Sequence, residues 1–213
     1  MNIAEEINRV IRKIRTGEEA VQVVLEREFD TGADDLWDAC TNPKRLAMWF
    51  EPVVGDLVVG GRYTMTRSGT EGTILRCDSA RYLAITWEYE GNLSKVDAAL
   101  ILIDEDRTLL RVCHHVPPDD HWDTYGPAAT GIGWEGWLRA LSLYLAGDIR
   151  STPDRMEEFA RTPEGQELIR HAANEWASVD QEAGTSVRDA ETRAKQTAAF
   201  YLNHAGKHMN DGQ

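Results

Sequence analysis

Between Val53 and Val116 the sequence is a succession of runs rich in Val, Ile, Leu, Thr, Tyr and Trp. Gly60-Gly61, Ser68-Gly69, Asp78-Ser79, Gly91-Asn92 and Asp104-Glu105-Asp106 break them up. Runs of this composition read as strands and the breaks as short turns. A parallel neighbour would need a crossover of about a dozen residues or more, and these connections have no room for one. The segment therefore predicts about six antiparallel strands joined by hairpins, and a doubly wound nucleotide-binding sheet is disfavoured. Upstream, Val21, Val23, Leu25, Arg27 and Phe29 alternate with Gln22, Val24, Glu26 and Glu28, the period-two pattern of a first strand with one buried face.

Helical patterns surround these strands. Leu36, Trp37 and Cys40 are spaced for a short helix, and Asn42-Pro43 supplies a cap and a first-turn proline for a second one, Lys44 to Phe50. Pro117 to Tyr125 reads as a loop. Gly126-Pro127 then opens a long helix whose Trp134, Trp137, Leu138, Leu141 and Leu145 share one face before Gly147 ends it. Three further helices are expected over 153–160, 163–182 and 186–203, with the remaining residues fraying as a flexible tail, 204–213. At the other end, Ile3, Ile7, Val10, Ile11 and Ile14 have helical spacing and predict an N-terminal amphipathic helix within 1–19. The expected organisation is thus that helix, a sheet-and-helix core over 20–149, and a helical extension over 150–203 whose Ile169 and Trp176 must find burial.

With 213 residues the chain suits one well-buried core plus an appendage. Its 36 acidic against 23 basic side chains, net charge −13, repel phosphate backbones and anionic lipid headgroups, so neither nucleic acid nor membrane is an expected partner. Cys40, Cys77 and Cys113 are too few and too scattered for a disulfide framework, and no apolar stretch resembles a signal peptide or a bilayer span. A cytoplasmic protein is the expectation. The N-terminal helix is expected to dock on its own domain or on a second copy of the chain, which puts a homodimer among the expected partners.

The chemical motifs favour bland readings. Gly131-Ile132-Gly133-Trp134-Glu135-Gly136 matches G-x-G-x-x-G, yet no strand precedes it as a dinucleotide site requires. The glycines more simply let the helix approach the sheet closely or leave space for a ligand beside it. His114 and His115 suggest a metal, but adjacent strand residues point to opposite faces: His114 goes inward with Leu110 and Val112, His115 outward with Arg111 and Cys113. No G-x-S-x-G, H-E-x-x-H, P-loop or EF-hand pattern occurs. No catalytic residue, metal ligand or cofactor is expected.

The order of elements resembles the helix-grip fold of the START and pollen-allergen-like superfamily: an α+β fold with a curved antiparallel sheet of about seven strands around a long helix, here with a helical extension. Leu36-Trp37-Asp38-Ala39-Cys40-Thr41-Asn42-Pro43, Met48-Trp49-Phe50, Gly60-Gly61-Arg62-Tyr63, Leu83-Ala84-Ile85-Thr86-Trp87-Glu88 and Gly133-Trp134-Glu135-Gly136-Trp137-Leu138 are similar to stretches of the family named for the activator of heat-shock-protein-90 ATPase. The resemblance spans residues 20–147. It implies a pocket for a small hydrophobic or aromatic molecule, lined by Trp49, Phe50, Trp87, His114, Trp134, Trp137, Leu138 and Leu141, with His114 or Tyr125 orienting the ligand through a hydrogen bond. The superfamily also includes cyclases and co-chaperone domains, so a cyclase- or hydrolase-type enzyme and a regulatory interaction protein are the alternatives.

Overall fold

The computed structural model describes residues 3–17 and 19–207. The chain runs through helix α1 (Ile3–Asn8), strands β1 (Ile11–Thr16) and β2 (Val21–Phe29), and helices α2 (Ala33–Thr41) and α3 (Pro43–Trp49). Strands β3 (Val53–Gly55), β4 (Arg62–Met65), β5 (Glu71–Asp78), β6 (Tyr82–Tyr89), β7 (Asn92–Leu102) and β8 (Thr108–Val116) follow. Helices α4 (Asp120–Tyr125), α5 (Pro127–Leu145), α6 (Pro153–Arg161), α7 (Pro163–Glu182) and α8 (Val187–Lys207) complete it. The strands form one antiparallel sheet in the order β1-β2-β8-β7-β6-β5-β4-β3, curved around α5 in the helix-grip manner.

Among the described residues the sheet has eight strands rather than seven because the N-terminal isoleucines do not make one helix. Helix α1 stops at Asn8, and Ile11–Thr16 pairs along the edge of β2, Ile14 opposite Val23. Ile7 and Val10 are buried while Ile11 is half exposed. The spacing is compatible with a helix, but a β-branched pair beside an unpaired edge gains more from backbone pairing than from another turn. Pro117 to Tyr125 also departs from expectation. Asp119 Oδ1 accepts from the Trp122 backbone N–H at 2.9 Å, so the segment closes into α4. At the far end α8 runs past Asn203 to Lys207, and residues 208–213 of the expected tail lie outside the described residues.

Two local devices shape the sheet. Glu90 and Gly91 both take positive φ, 49° and 82°, the pair required by the tight turn between β6 and β7, so Asn92 opens β7 instead of closing the turn. In β5 the register with β6 slips between Ile74 and Arg76. The extra residue, Leu75, bends the strand and restores Cys77 to the face that carries Ile74.

Behind α5 the extension packs as helices. Trp176 is fully buried and Ile169 nearly so. A side-chain carbon added at Gly131 would lie 2.1 Å from the Trp176 ring, so this glycine is the seat for α7 and not, as expected from sequence, an approach point for the sheet. Glu135, one turn on, accepts from Trp176 Nε1 at 2.6 Å and from Arg12 Nε and Nη2 at 2.8 and 2.7 Å, tying β1, α5 and α7 together. Tyr201 donates to the Ala129 carbonyl and Thr197 to that of Tyr125, which holds α8 against the start of α5.

Candidate functional site

Period-two alternation carries Leu83, Ile85 and Trp87 of β6, Val96 and Ala98 of β7, and Leu110 and Val112 of β8 to the concave face of the sheet. Trp134, Trp137 and Leu138 of α5 face them. A cavity of about 190 Å³ remains between these layers. Trp49 and Phe50 close one side: Trp49 Nε1 donates to the Ala39 carbonyl at 3.0 Å, and the Phe50 ring meets Trp137 edge-on at 4.6 Å. Trp87 and Trp134 stand 5.7 Å apart at the other. Leu57 and Cys77 are exposed members of the lining and mark where the cavity meets solvent.

Six of the nine residues expected to form the pocket line this cavity: Trp49, Phe50, Trp87, Trp134, Trp137 and Leu138. Leu141 is fully buried in the core beyond it. Tyr125 ends α4 and stacks with His121 and Phe200 under α8, away from the cavity, because the segment expected to be a loop is helical. The hydrogen-bonding role expected of Tyr125 therefore has no geometric basis. Sequence reasoning missed Tyr63 and Met65, which alternation in β4 could have revealed, and Cys77, which only the bulge turns inward.

His114 points inward as its strand phase requires, but it sits behind Trp134 and Trp87 rather than on the cavity wall. Trp134 Nε1 donates to His114 Nδ1 at 3.1 Å. An indole can only donate, so Nδ1 is the bare nitrogen and Nε2 carries the hydrogen, directed to Ser94 Oγ at 2.8 Å. Ser94 in turn donates to the Trp87 carbonyl. Both ring nitrogens are thus committed to holding β6, β7 and α5 together, which corrects the expectation that His114 orients a ligand. Burial, with a smaller contribution from His115, pulls its pKa down to about 4 from the ordinary 6.5. As pH falls from 6.5 towards 4 the unfolded chain takes up a proton that the folded chain refuses, so this histidine withdraws stability through that window. Ring NMR is expected to show the neutral Nε2–H tautomer with no titration above about pH 5; a midpoint near 6.5 would mean that the ring is solvated.

Two lining hydroxyls are satisfied within the protein. Tyr63 donates to the Thr86 carbonyl at 2.6 Å and Thr41 to that of Trp37 at 2.7 Å. Burial raises the Cys40 thiol to about 12, so it stays protonated. The cavity consequently offers rings and hydrocarbon and little polar anchoring. A second cavity, about 420 Å³, lies on the other side of α5 between α6, α7 and the N-terminal elements. Ile132, Met156, Phe159 and Ile169 line it together with buried charges, among them Arg27 paired to Glu6 at 2.7 Å. Gly133 and Gly136 face this space, and a side-chain carbon at Gly136 would touch nothing within 4 Å. Among the described residues no helix is long and apolar enough to cross a membrane.

The fold has several solved counterparts. The crystal structure of CalU16 from Micromonospora echinospora is 30% identical and aligns over 80% of this chain and 97% of its own, with a TM-score of 0.65. Its solution NMR structure gives 31%, 82%, 97% and 0.68 in the same order. An HSP90 activator from Plasmodium falciparum shares the fold at 19% identity, over 59% of this chain and 96% of its own, with a TM-score of 0.51. No curated protein matches. Residues 30–146 match the family described as activator of Hsp90 ATPase homolog 1-like protein, and the segment runs from just after β2 to just past α5, so that every strand and helix facing the aromatic cavity falls within it; the chain belongs to that family.

Proposed function

We propose that the protein binds a small apolar or aromatic molecule in the cavity between the concave face of the sheet and α5. The observation that carries this reading is the cavity itself, about 190 Å³ walled by seven aromatic side chains, of which Trp49, Tyr63 and Trp134 have their polar atoms bonded inside the protein. An apolar void of about 150 Å³ is enough to admit benzene, so a mono- or bicyclic aromatic ring system is the size class that fits. Such a ligand gains affinity by ring contact and by removing apolar surface from water. The larger cavity behind α5 suits it less well, because the charges of Arg27, Glu6 and Glu135 share its wall. A proton-transfer role for His114 finds no support in its geometry.

The test is a titration with indole and naphthalene, read by tryptophan fluorescence and by native mass spectrometry. Binding should be saturable, at one molecule per chain, and should perturb emission because Trp87, Trp134 and Trp137 form the wall. Ala98→Phe, which fills the sheet-side cavity, should weaken it at least about tenfold by occupying the ligand's volume. Gly136→Leu, which grows into the other cavity, should leave it unchanged. If Gly136→Leu abolishes binding and Ala98→Phe does not, the ligand sits behind α5 and the proposal fails.

A further inference from the structure

The convex face of the sheet carries a cluster that the cavity does not use. Cys113 and His115, two apart on β8, present their side chains to the same face, and the β7–β8 register sets Asp97 directly across from Cys113. His115 Nε2 lies 2.6 Å from Asp97 Oδ2 and 3.5 Å from Cys113 Sγ. One donor atom from each residue falls within 4.8 Å of the other two, a grouping of metal-ligating side chains found nowhere else among the described residues. All three residues are half-buried, which keeps them ordered yet reachable from solvent.

We propose that Asp97, Cys113 and His115 form a three-ligand site for a divalent transition-metal ion of the zinc class, with a fourth position left for water. The donor set selects the ion: imidazole nitrogen with thiolate sulfur suits zinc and its first-row neighbours, whereas magnesium and calcium require oxygen. Zinc–ligand bonds of about 2.0–2.3 Å in a tetrahedron put neighbouring ligand atoms roughly 3.3–3.6 Å apart. The sulfur–nitrogen gap already meets that, and the carboxylate, which lies 2.6 Å from His115 and within 4.8 Å of Cys113 Sγ, must rotate away from the first and towards the second by about 1 Å. Tyr82, two positions from Ala84 on the same face of β6, lies diagonally across from Asp97 and would orient it from outside the ligand shell. Ala84 and Val24, the cross-strand neighbours of Asp97 and Cys113, are small or apolar and do not compete for the ion.

On binding, the Cys113 S–H bond breaks, the sulfur pair goes to the metal and the proton leaves to solvent; thiolate and carboxylate then balance the two charges of the ion. Opposing this are the burial that raises the Cys113 thiol to about 11 and Lys95, whose Nζ stands 3.0 Å from Asp97 Oδ1; Arg15 and Arg111 repel the ion but favour the thiolate. Lys95 is partly exposed and can swing away, so it sets affinity without blocking the site.

The experiment uses the full chain, stripped with chelator and titrated with Zn²⁺ against a chromophoric competitor, then with Co²⁺ followed by absorbance. One equivalent should bind, and Co²⁺ should show a thiolate-to-metal charge-transfer band. Cys113→Ser, close in shape, should remove that band and weaken Zn²⁺ by more than about tenfold, and His115→Ala should weaken it as much. Lys95→Met should tighten binding by about 2- to 5-fold, the gain from freeing Asp97 of a partly exposed ion pair, and a variant that binds better cannot be one that failed to fold. His171→Ala, at an exposed histidine on α7, should leave metal uptake unchanged. Absence of stoichiometric uptake, uptake that survives both Cys113→Ser and His115→Ala, or uptake lost in His171→Ala would each overturn the proposal.

Discussion

Glu135→Ala is expected to lower the unfolding free energy by about 3–5 kcal/mol, read by urea denaturation at neutral pH. The Arg12 and Glu135 side chains are 5% and 11% exposed, and the pair is bidentate. A two-pronged guanidinium–carboxylate contact of this kind is a strong charge-assisted one. Deleting the acid leaves a guanidinium buried without its countercharge, and the loss exceeds anything the pair gains by forming. The Trp176 N–H loses its acceptor in the same step. Two companion variants separate these contributions. Glu135→Gln keeps an oxygen for the indole but no charge for Arg12, so it should recover only the smaller part, about 1 kcal/mol for one hydrogen bond. Arg12→Met combined with Glu135→Leu removes both charges and should recover most of the loss, because a buried ion pair exchanged for apolar groups is close to neutral. A cost below about 1 kcal/mol for Glu135→Ala would show that β1 is not anchored through α5.

That anchor was invisible in the sequence, and the reason is general. Glu135 has no period, cap or motif of its own; its partners lie 123 and 41 residues away, and only the tertiary arrangement brings them together. What alternation and helical spacing state directly was legible. Leu83, Ile85 and Trp87 share a face, Trp134, Trp137 and Leu138 share another, and these are the two walls of the cavity. Inward His114 and outward His115 follow from the same rule. The failures arose where local pattern competes with context. Ile7, Val10, Ile11 and Ile14 fit a helix, but the open edge of β2 claims the second half of the run. Tyr125 was placed by an expected loop that Asp119 caps into a helix. Asp97 could not be oriented without the register of β7, and with it the cluster on the convex face stayed hidden.

Trp176→Ala is expected to cost about 3–5 kcal/mol, the range for deleting a large buried aromatic. The telling result lies in its coupling to Gly131. The ring occupies the place where a side chain at 131 would stand, since an added carbon there would be 2.1–2.4 Å from three of its atoms. Gly131→Ala alone must therefore push α7 away or force the indole off its rotamer, an overpacking cost of about 1–3 kcal/mol. Remove the ring first, and the same methyl enters vacated space in the middle of a helix, where alanine is favoured over glycine by about 1 kcal/mol. The sign of Gly131→Ala should accordingly reverse between the two backgrounds, a double-mutant coupling of about 2–4 kcal/mol, obtained from the four urea transitions. Hydrogen exchange should locate the loss in Trp176→Ala at α7 and α8, whose seat against α5 depends on that ring, while β6 to β8 keep their protection. If the two substitutions simply add, the glycine is not the seat of the indole, and some other contact holds the helical extension to the grip domain.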